Sequence, residues 1–320
     1  MRCLVTGGCG FIFSNFIRYM LQKYPDYEII NLDKLTYCGR IENTLDFKNN
    51  KRYRFVKGDV CNRKLIEKIT KDVDVIINAA AETHVDRSII DAGTFVETDV
   101  FGTYSLLEAA RKNDVEKYVQ ISTDEVYGSM EKGSFREDDL PNPSSPYSAS
   151  KAGADMLVMA YRKTHGLPVM ITRSSNNYGP YQFPEKLIPL FITNLIENKK
   201  VPLYGNGLNI RDWLFMTDNC IAVDTVLQKG KIGEIYNIAS CEEKTNLEIT
   251  NILLKLFGKS KDMIQFVDDR KGHDFRYSLN CDKTRELGWE PKVKLDEGLR
   301  ETVVWYKKNE WWWKPLKKGV

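Results

Sequence analysis

Short apolar, β-rich runs alternate with helical patterns from the first residues of the chain. Residues 2–6 predict a strand, and a helical run over about 11–23 follows. Residues 28–32 read as the next strand, ending at Asp33. Further strands are predicted at 53–56, 73–77, 117–121 and 168–171. Strands that alternate with helices imply an α/β fold with a parallel sheet covered on both faces. In such sheets ligands bind beyond the carboxyl ends of the strands. Asp33, Asp59, Ala79 to Ala81, Ser122 to Glu125 and Arg173 to Asn177 all follow predicted strand ends. After Asn177 the texture changes to Tyr178-Gly179-Pro180-Tyr181-Gln182-Phe183-Pro184, rich in turn formers and aromatics. The main boundary is placed there, giving units 1–177 and 178–320, with a strand near 234–238 returning to the main sheet.

Composition narrows the class. The 320 residues are 42% hydrophobic and 28% charged, enough for one large domain or two interleaved ones. The net charge is only +3, with acids and bases mixed. A basic C-terminal run around Trp311, Trp312 and Trp313 could be a nucleic-acid patch, but it reads better as a solvated tail packed by aromatics. No apolar stretch is long enough to span a bilayer, and the N-terminus starts directly in a strand pattern, so neither membrane nor signal peptide is expected. Seven scattered cysteines without a CxxC fit reduced thiols in the cytoplasm. No cluster has metal-ligand spacing, so no metal is expected.

Thr6-Gly7-Gly8-Cys9-Gly10-Phe11-Ile12 joins the first strand to the first helix. Glycines at this junction let the backbone turn and approach a pyrophosphate on the helix N-terminus. Asp33 is placed to accept hydrogen bonds from adenosine ribose hydroxyls, and a carboxylate there repels a 2′-phosphate, favouring NAD over NADP. Lys34 beside it weakens that argument. Asp59 is expected at the adenine edge. A third glycine is expected three residues after Gly10, yet Phe13 stands there; it predicts a shifted helix start or weakened cofactor binding.

Tyr147 and Lys151 lie four residues apart, on one face of a predicted helix. An ammonium beside the phenol is expected to lower its pKa. Tyr19/Lys23 and Tyr53/Lys57 share this spacing, so context must decide. Only Tyr147 follows a hydroxyl-bearing strand end, Ser122-Thr123, which continues into Asp124-Glu125. Two adjacent carboxyls can divide into one acid and one base, because proximity and burial raise the pKa of one. The plainer reading is an acidic pair at a helix start.

The segments TGGCGFI, NLDKLTYCG, AAETHVDRSI, STDEVYG, PYSASK, NNYGPYQFPEKLIPLF, IRDWLF, EEKTNLEI and DRKGHDFRY run in order over nearly the whole chain. Together they resemble the dTDP-glucose 4,6-dehydratase family of the extended short-chain dehydrogenase/reductases. The resemblance implies a Rossmann-type doubly wound sheet with a smaller, interleaved C-terminal substrate domain. It implies NAD held by Gly7, Gly10, Phe11, Ile12, Asp33, Lys34, Leu35, Thr36, Asp59, Val60, Ala79, Ala80, Ala81, Thr98, Tyr147, Lys151 and Asn177. By the same resemblance Tyr147 takes the sugar 4-hydroxyl proton, Thr123 bonds that oxygen, Glu125 removes the C5 proton and Asp124 protonates the leaving 6-hydroxyl. The product is a 4-keto-6-deoxy sugar, with hydride returned to C6.

The resemblance also implies a nucleotide-diphosphate sugar site built from Thr83, Thr123, Asn176, Lys186, Leu187, Pro202, Tyr204, Arg211, Asn246, Arg270, His273 and Tyr277. The chain departs from the family's Arg-Pro-Gly-His at Lys271, which should loosen that turn. Three alternatives stay open: a UDP-glucose 4,6-dehydratase, a nucleotide-sugar 4-epimerase, which has no need of the acidic pair, and a non-catalytic NAD-binding protein. A homodimer is implied through helices near 101–112 and 147–163, although Leu106, Leu107, Met156, Leu157 and Met159 could serve the subunit core instead.

Overall fold

The computed structural model describes residues 1–269 and 273–319. Seven strands form one parallel sheet: β1 (Arg2–Thr6), β2 (Glu28–Asp33), β3 (Tyr53–Lys57), β4 (Val75–Asn78), β5 (Lys117–Thr123), β6 (Val169–Ser174) and, from late in the chain, Ile235–Ile238. Their order is Ile235–Ile238, β6, β5, β4, β1, β2, β3, so the sheet winds outward from β1 in both directions. That reversal opens a crevice at the carboxyl ends of β1 and β4, which pair from Cys3↔Val75 to Thr6↔Asn78.

Alternation along each strand sorts its side chains to two faces. Val5, Val75, Ile77, Val119 and Met170 pack with Phe16, Ile17 and Met20 of the helix Phe11–Lys23 and with Cys220, Val223 and Val226 of the helix Met216–Lys229. Leu4, Ile76, Tyr118, Val169 and Ile171, one residue out of step, pack on the other face with Leu106, Leu107 and Val158. Each fully buried aliphatic side chain contributes about 1.5–3 kcal/mol, so the sheet is fixed from both sides.

The later chain is interleaved. β7 (Asn176–Tyr178), β9 (Ile210–Phe215) and β11 (Glu243–Thr245) form a three-stranded sheet, with β9 in the middle. β8 (Val201–Tyr204) pairs with β12 (Ile264–Val267). Ile235–Ile238, counted as β10, pairs with β6 of the main sheet. A separate core joins the helices Leu187–Ile196, Asn246–Leu256 and Leu295–Lys308 to these strands.

Several expectations are corrected. Trp312 and Trp313 are not dressing on a solvated tail: both are buried, and their indole N–H groups donate to Asn43 Oδ1 at 2.7 Å and to the Tyr306 carbonyl at 2.8 Å. Only Trp311 of the three is exposed. Leu106 and Leu107 are fully buried in the subunit's own core, whereas Met156 is exposed. Phe13 does not displace the first helix, which begins at Phe11 directly after Gly10. Its ring is absorbed into the core beside Phe16, with centroids 5.3 Å apart. The packing that a third glycine would provide is replaced by aromatic burial.

Candidate active site

β5 ends at Thr123, and the chain turns at once into a single 3-10 turn, Asp124–Tyr127. Thr123 causes the turn, because its hydroxyl accepts from the Glu125 amide at 3.3 Å. Gly128 closes it at φ 81, where a Cβ would lie 2.3 Å from the Asn142 carbonyl oxygen. The acidic pair is therefore held on a short, rigid corner. Behind it Arg173 and Asp155 form a buried ion pair at 3.0 Å, and Ser122 donates to the same carboxylate at 2.9 Å.

The opposite wall is the helix Pro146–His165. Ser145 caps it, with a reciprocal bond to Ser148, and Pro146 occupies the first turn. Such a cap is worth about 1 kcal/mol and fixes where the helix starts, which places Tyr147 and Lys151 one turn apart. Both side chains are buried. The Tyr19/Lys23 pair, at the same spacing, instead meets Asp224 on the helix Met216–Lys229, which packs against the first helix.

The electrostatics of the corner are unequal. Asp124 is pushed up to about 8, first by burial and then by the charge of Glu125, against a hydrogen bond from Thr123 and the Arg211 cation. At neutral pH it keeps its proton. Thr123 donates to its Oδ1 at 3.1 Å, and Oδ2 is buried without a partner. The dipole reading of this pair loses its force, because a neutral acid gains little from a helix start.

Tyr147 corrects an expectation. Burial, followed by the charges of Glu125, Asp99 and Asp124, holds its phenol well above 10. Lys151 does not oppose this directly, since its ammonium donates to the Ile121 carbonyl at 2.6 Å. Three carboxyl groups and a dry environment outweigh one ammonium that is turned aside.

Asp99 is a site residue that sequence reasoning missed. It lies on the π-helical segment Val96–Phe101, is buried, and accepts from Ser150 at 2.6 Å and from the Glu82 amide at 3.2 Å. Burial pushes it up to about 6, with Lys151 opposing. An aspartate within a helical run reads as surface charge, so only its neighbour Thr98 gave a signal. Glu185 was missed as well: it accepts from Tyr37 at 2.9 Å and lies 3.5 Å from His84.

One cleft gathers most of the predicted residues. It is lined by Gly7, Gly10, Phe11, Ile12, Asp33, Lys34, Thr36, Asp59, Val60, Ala79, Ala80, Ala81, Thr98 and Asn177. Thr83, Thr123, Asp124, Glu125, Tyr147, Lys151, Asn176 and Lys186 line it as well. Leu35 does not line it; its backbone, at φ 57, gives its amide to Asp33 Oδ1 at 2.7 Å. Asp33 also accepts from the Cys9 amide at 2.9 Å, so it ties the glycine loop to β2. Lys34 is paired with Asp59 at 2.7 Å.

The remaining predicted residues stand in a second group. Arg211 is buried on β9 and donates to the carbonyls of Asp274 at 2.9 Å and Phe275 at 3.2 Å, with its guanidinium 4.3 Å from the Tyr277 ring centroid. His273 Nδ1 lies 2.6 Å from Asp269, and its ring meets Tyr204 edge-on at 6.3 Å. Pro202 and Tyr204 lie on β8, and Leu187 and Asn246 each open a helix. Asn246 Oδ1 is buried without a partner. Arg270 and Lys271 lie outside the described residues. The two groups adjoin, since the charge of Glu125 raises Tyr277 and the charge of Arg211 lowers Asp124.

Comparison with known proteins agrees with this geometry. A family profile described as GDP-mannose 4,6 dehydratase matches residues 4–302. The Low-salt glycan biosynthesis protein Agl12 of Haloferax volcanii is 51% identical over 96% of this chain and 98% of its own. A dTDP-glucose 4,6-dehydratase of Streptomyces niveus is 49% identical, over 99% and 96%. The crystal structure of DesIV, a dTDP-glucose 4,6-dehydratase from Streptomyces venezuelae with NAD and TYD bound, superposes with a TM-score of 0.97 at 50% identity, covering 99% and 100%. With its paired sheet, acidic corner and Tyr/Lys helix in one cleft, the chain belongs to the GDP-mannose 4,6 dehydratase family.

Proposed function

We infer that this chain catalyses the NAD-dependent dehydration of dTDP-glucose to dTDP-4-keto-6-deoxyglucose. The observation that carries the reading is Asp124, a buried carboxyl whose pKa is pushed up to about 8, beside Glu125 in the cleft that Tyr147 and Lys151 also line. Likeness at about half identity to dTDP-glucose 4,6-dehydratases favours this base over uridine. It also favours dehydration over epimerisation.

The cleft fits NAD. A Cβ at Gly7 would lie 2.9 Å from the Ala80 backbone, so the loop is packed too tightly for any side chain. The helix Phe11–Lys23 begins beside it with no side-chain cap, which leaves its first-turn amides for a pyrophosphate. Asn177 Oδ1 and Asn219 Nδ2 line the cleft, buried without partners. NAD, when bound there, supplies the acceptor and donor for hydride.

The chain's own residues then move protons. Tyr147 first gives up its own phenolic proton and, as the phenolate, takes the proton of the sugar 4-hydroxyl, while Thr123 orients that oxygen. The proton kept on Asp124 assists this step, because it removes one of the charges that hold the phenol's own proton in place. Once C4 is a carbonyl the C5 hydrogen is acidic, and Glu125 takes it. Asp124 gives its proton to the departing 6-hydroxyl, which leaves as water. The net reaction is redox-neutral. Arg211, His273, Asn246 and Tyr204 are assigned to the nucleotide diphosphate, beside the acidic corner.

Among the described residues no helix is long and apolar enough to cross a membrane. Free thiols at all seven cysteines support a cytoplasmic setting. Exposed Ile89, Ile90, Val96, Phe101 and Met156 support a homodimer through the helical face around 96–101. To test the activity, the protein is incubated with dTDP-glucose, UDP-glucose and GDP-mannose, and the alkaline absorbance of the keto sugar is followed. An epimerised sugar without keto product, or preference for another base, would overturn the reading.

A further inference from the structure

Asp274 stands where the two groups of site residues meet. Its Oδ2 accepts from the Tyr277 hydroxyl at 2.5 Å and also from the Ser144 hydroxyl. Its main-chain carbonyl accepts from Arg211 Nη2 at 2.9 Å and from Asn209 Nδ2 at 3.2 Å. These donors come from distant parts of the chain. Arg211 lies on β9, and Asn209 leads into that strand. Ser144 directly precedes Ser145, the cap of the helix Pro146–His165, whose second residue is Tyr147.

The chain beyond Asp274 is fastened on both sides. Toward β9, the Ile210 amide donates to the Phe275 carbonyl at 2.8 Å. Toward the loop that follows the acidic corner, Ser129 Oγ accepts the Phe275 and Arg276 amides, each at 3.2 Å. The Met130 amide donates to the Arg276 carbonyl at 3.1 Å, and the Phe135 amide to the Ser278 carbonyl at 2.9 Å. Arg276 meets the Glu243 carboxylate through two bonds of 2.7 Å. Residues 274–278 thus bridge β9 to the acidic corner, with Asp274 reaching from that bridge to the start of the helix that carries Tyr147.

We propose that Asp274 is a positioning residue, which ties the start of the Tyr147 helix to Arg211 so that a nucleotide diphosphate held at Arg211 fixes Tyr147 for proton transfer; this rests on the dehydratase reading of the cleft. A carboxylate suits the task, because it accepts without donating and one oxygen can take both hydroxyls. Asp274 acts through Ser144 and the helix behind it. Binding energy from the part of the substrate that does not react then holds the reacting groups in register, and its loss falls on kcat.

The test uses the full chain with NAD bound. Ser144→Ala cuts the tie and keeps Tyr277 and Arg211; Ser144 is exposed, so the change empties no core. With dTDP-glucose, kcat should fall about tenfold while KM moves less than about threefold. Asp274→Ala should lose at least as much, and Asp274→Asn, whose amide oxygen still accepts both hydroxyls, should recover most of it. A second readout needs no turnover. Hydrogen exchange followed by mass spectrometry should show dTDP slowing the amides of the 144–152 peptide in the unsubstituted protein. In Ser144→Ala that slowing should vanish although calorimetry still shows dTDP binding. The proposal is overturned if Ser144→Ala turns over normally, if its loss falls on KM alone, or if dTDP slows these amides equally in both proteins. No keto product from the unsubstituted protein, with the difference in slowing intact, would overturn the dehydratase reading and uphold the tie.

Discussion

Thr123 holds Asp124 at 3.1 Å through its hydroxyl and accepts the Glu125 amide at 3.3 Å through the same oxygen. One side chain thus links the two adjacent acidic residues of the corner. The division of labour at this corner is testable residue by residue.

Glu125→Gln removes the proposed base and keeps the shape. Bound NAD should still be reduced when dTDP-glucose is added, as followed by nicotinamide absorbance, while keto-sugar formation falls by about 100- to 10,000-fold. Normal turnover by this variant would end the assignment of Glu125.

The pH profile follows from Asp124. As the proposed acid it must carry its proton, and it loses that proton as pH rises through about 8. The rate of elimination should therefore fall on the alkaline side near that value. A profile flat to well above it would assign the acid elsewhere.

Asp99→Asn tests the charge behind Tyr147. The amide oxygen can still accept from Ser150, but the carboxylate that raises the phenol is gone. The acid limb of kcat/KM should move to lower pH, because Tyr147 loses its proton more readily. If the limb stays where it was, Asp99 serves packing alone.

Phe13→Ala should lower stability by about 3–5 kcal/mol in denaturant unfolding, the usual cost of emptying a buried aromatic site. The ring is buried beside Phe16 in the core under the sheet. A stability unchanged within error would mean that the site collapses to fill the space.

Val96→Glu with Phe101→Glu should leave the subunit folded and shift its sedimentation to that of a monomer, because both side chains are exposed on the proposed dimer face. A dimeric sedimentation in both the variant and the unsubstituted protein would move the interface elsewhere, and a monomer in both would end the dimer proposal.

The sequence by itself determined the strand–helix alternation and the residues at the strand ends. Period-two apolar runs and glycine junctions are local, and a parallel sheet necessarily brings its carboxyl ends to one edge. Those constraints are enough to bring Gly7, Asp33, Thr123 and Tyr147 to one cleft. They could not rank the two carboxyls, foresee that Lys151 turns to Ile121, or find Asp99 and Glu185. Protonation depends on burial and on charges brought together from distant segments, and burial is a property of the packed chain. The same holds for Trp312, whose partner Asn43 lies 269 positions away. A one-dimensional pattern records which side chains are present; only close packing decides which of them keep their protons.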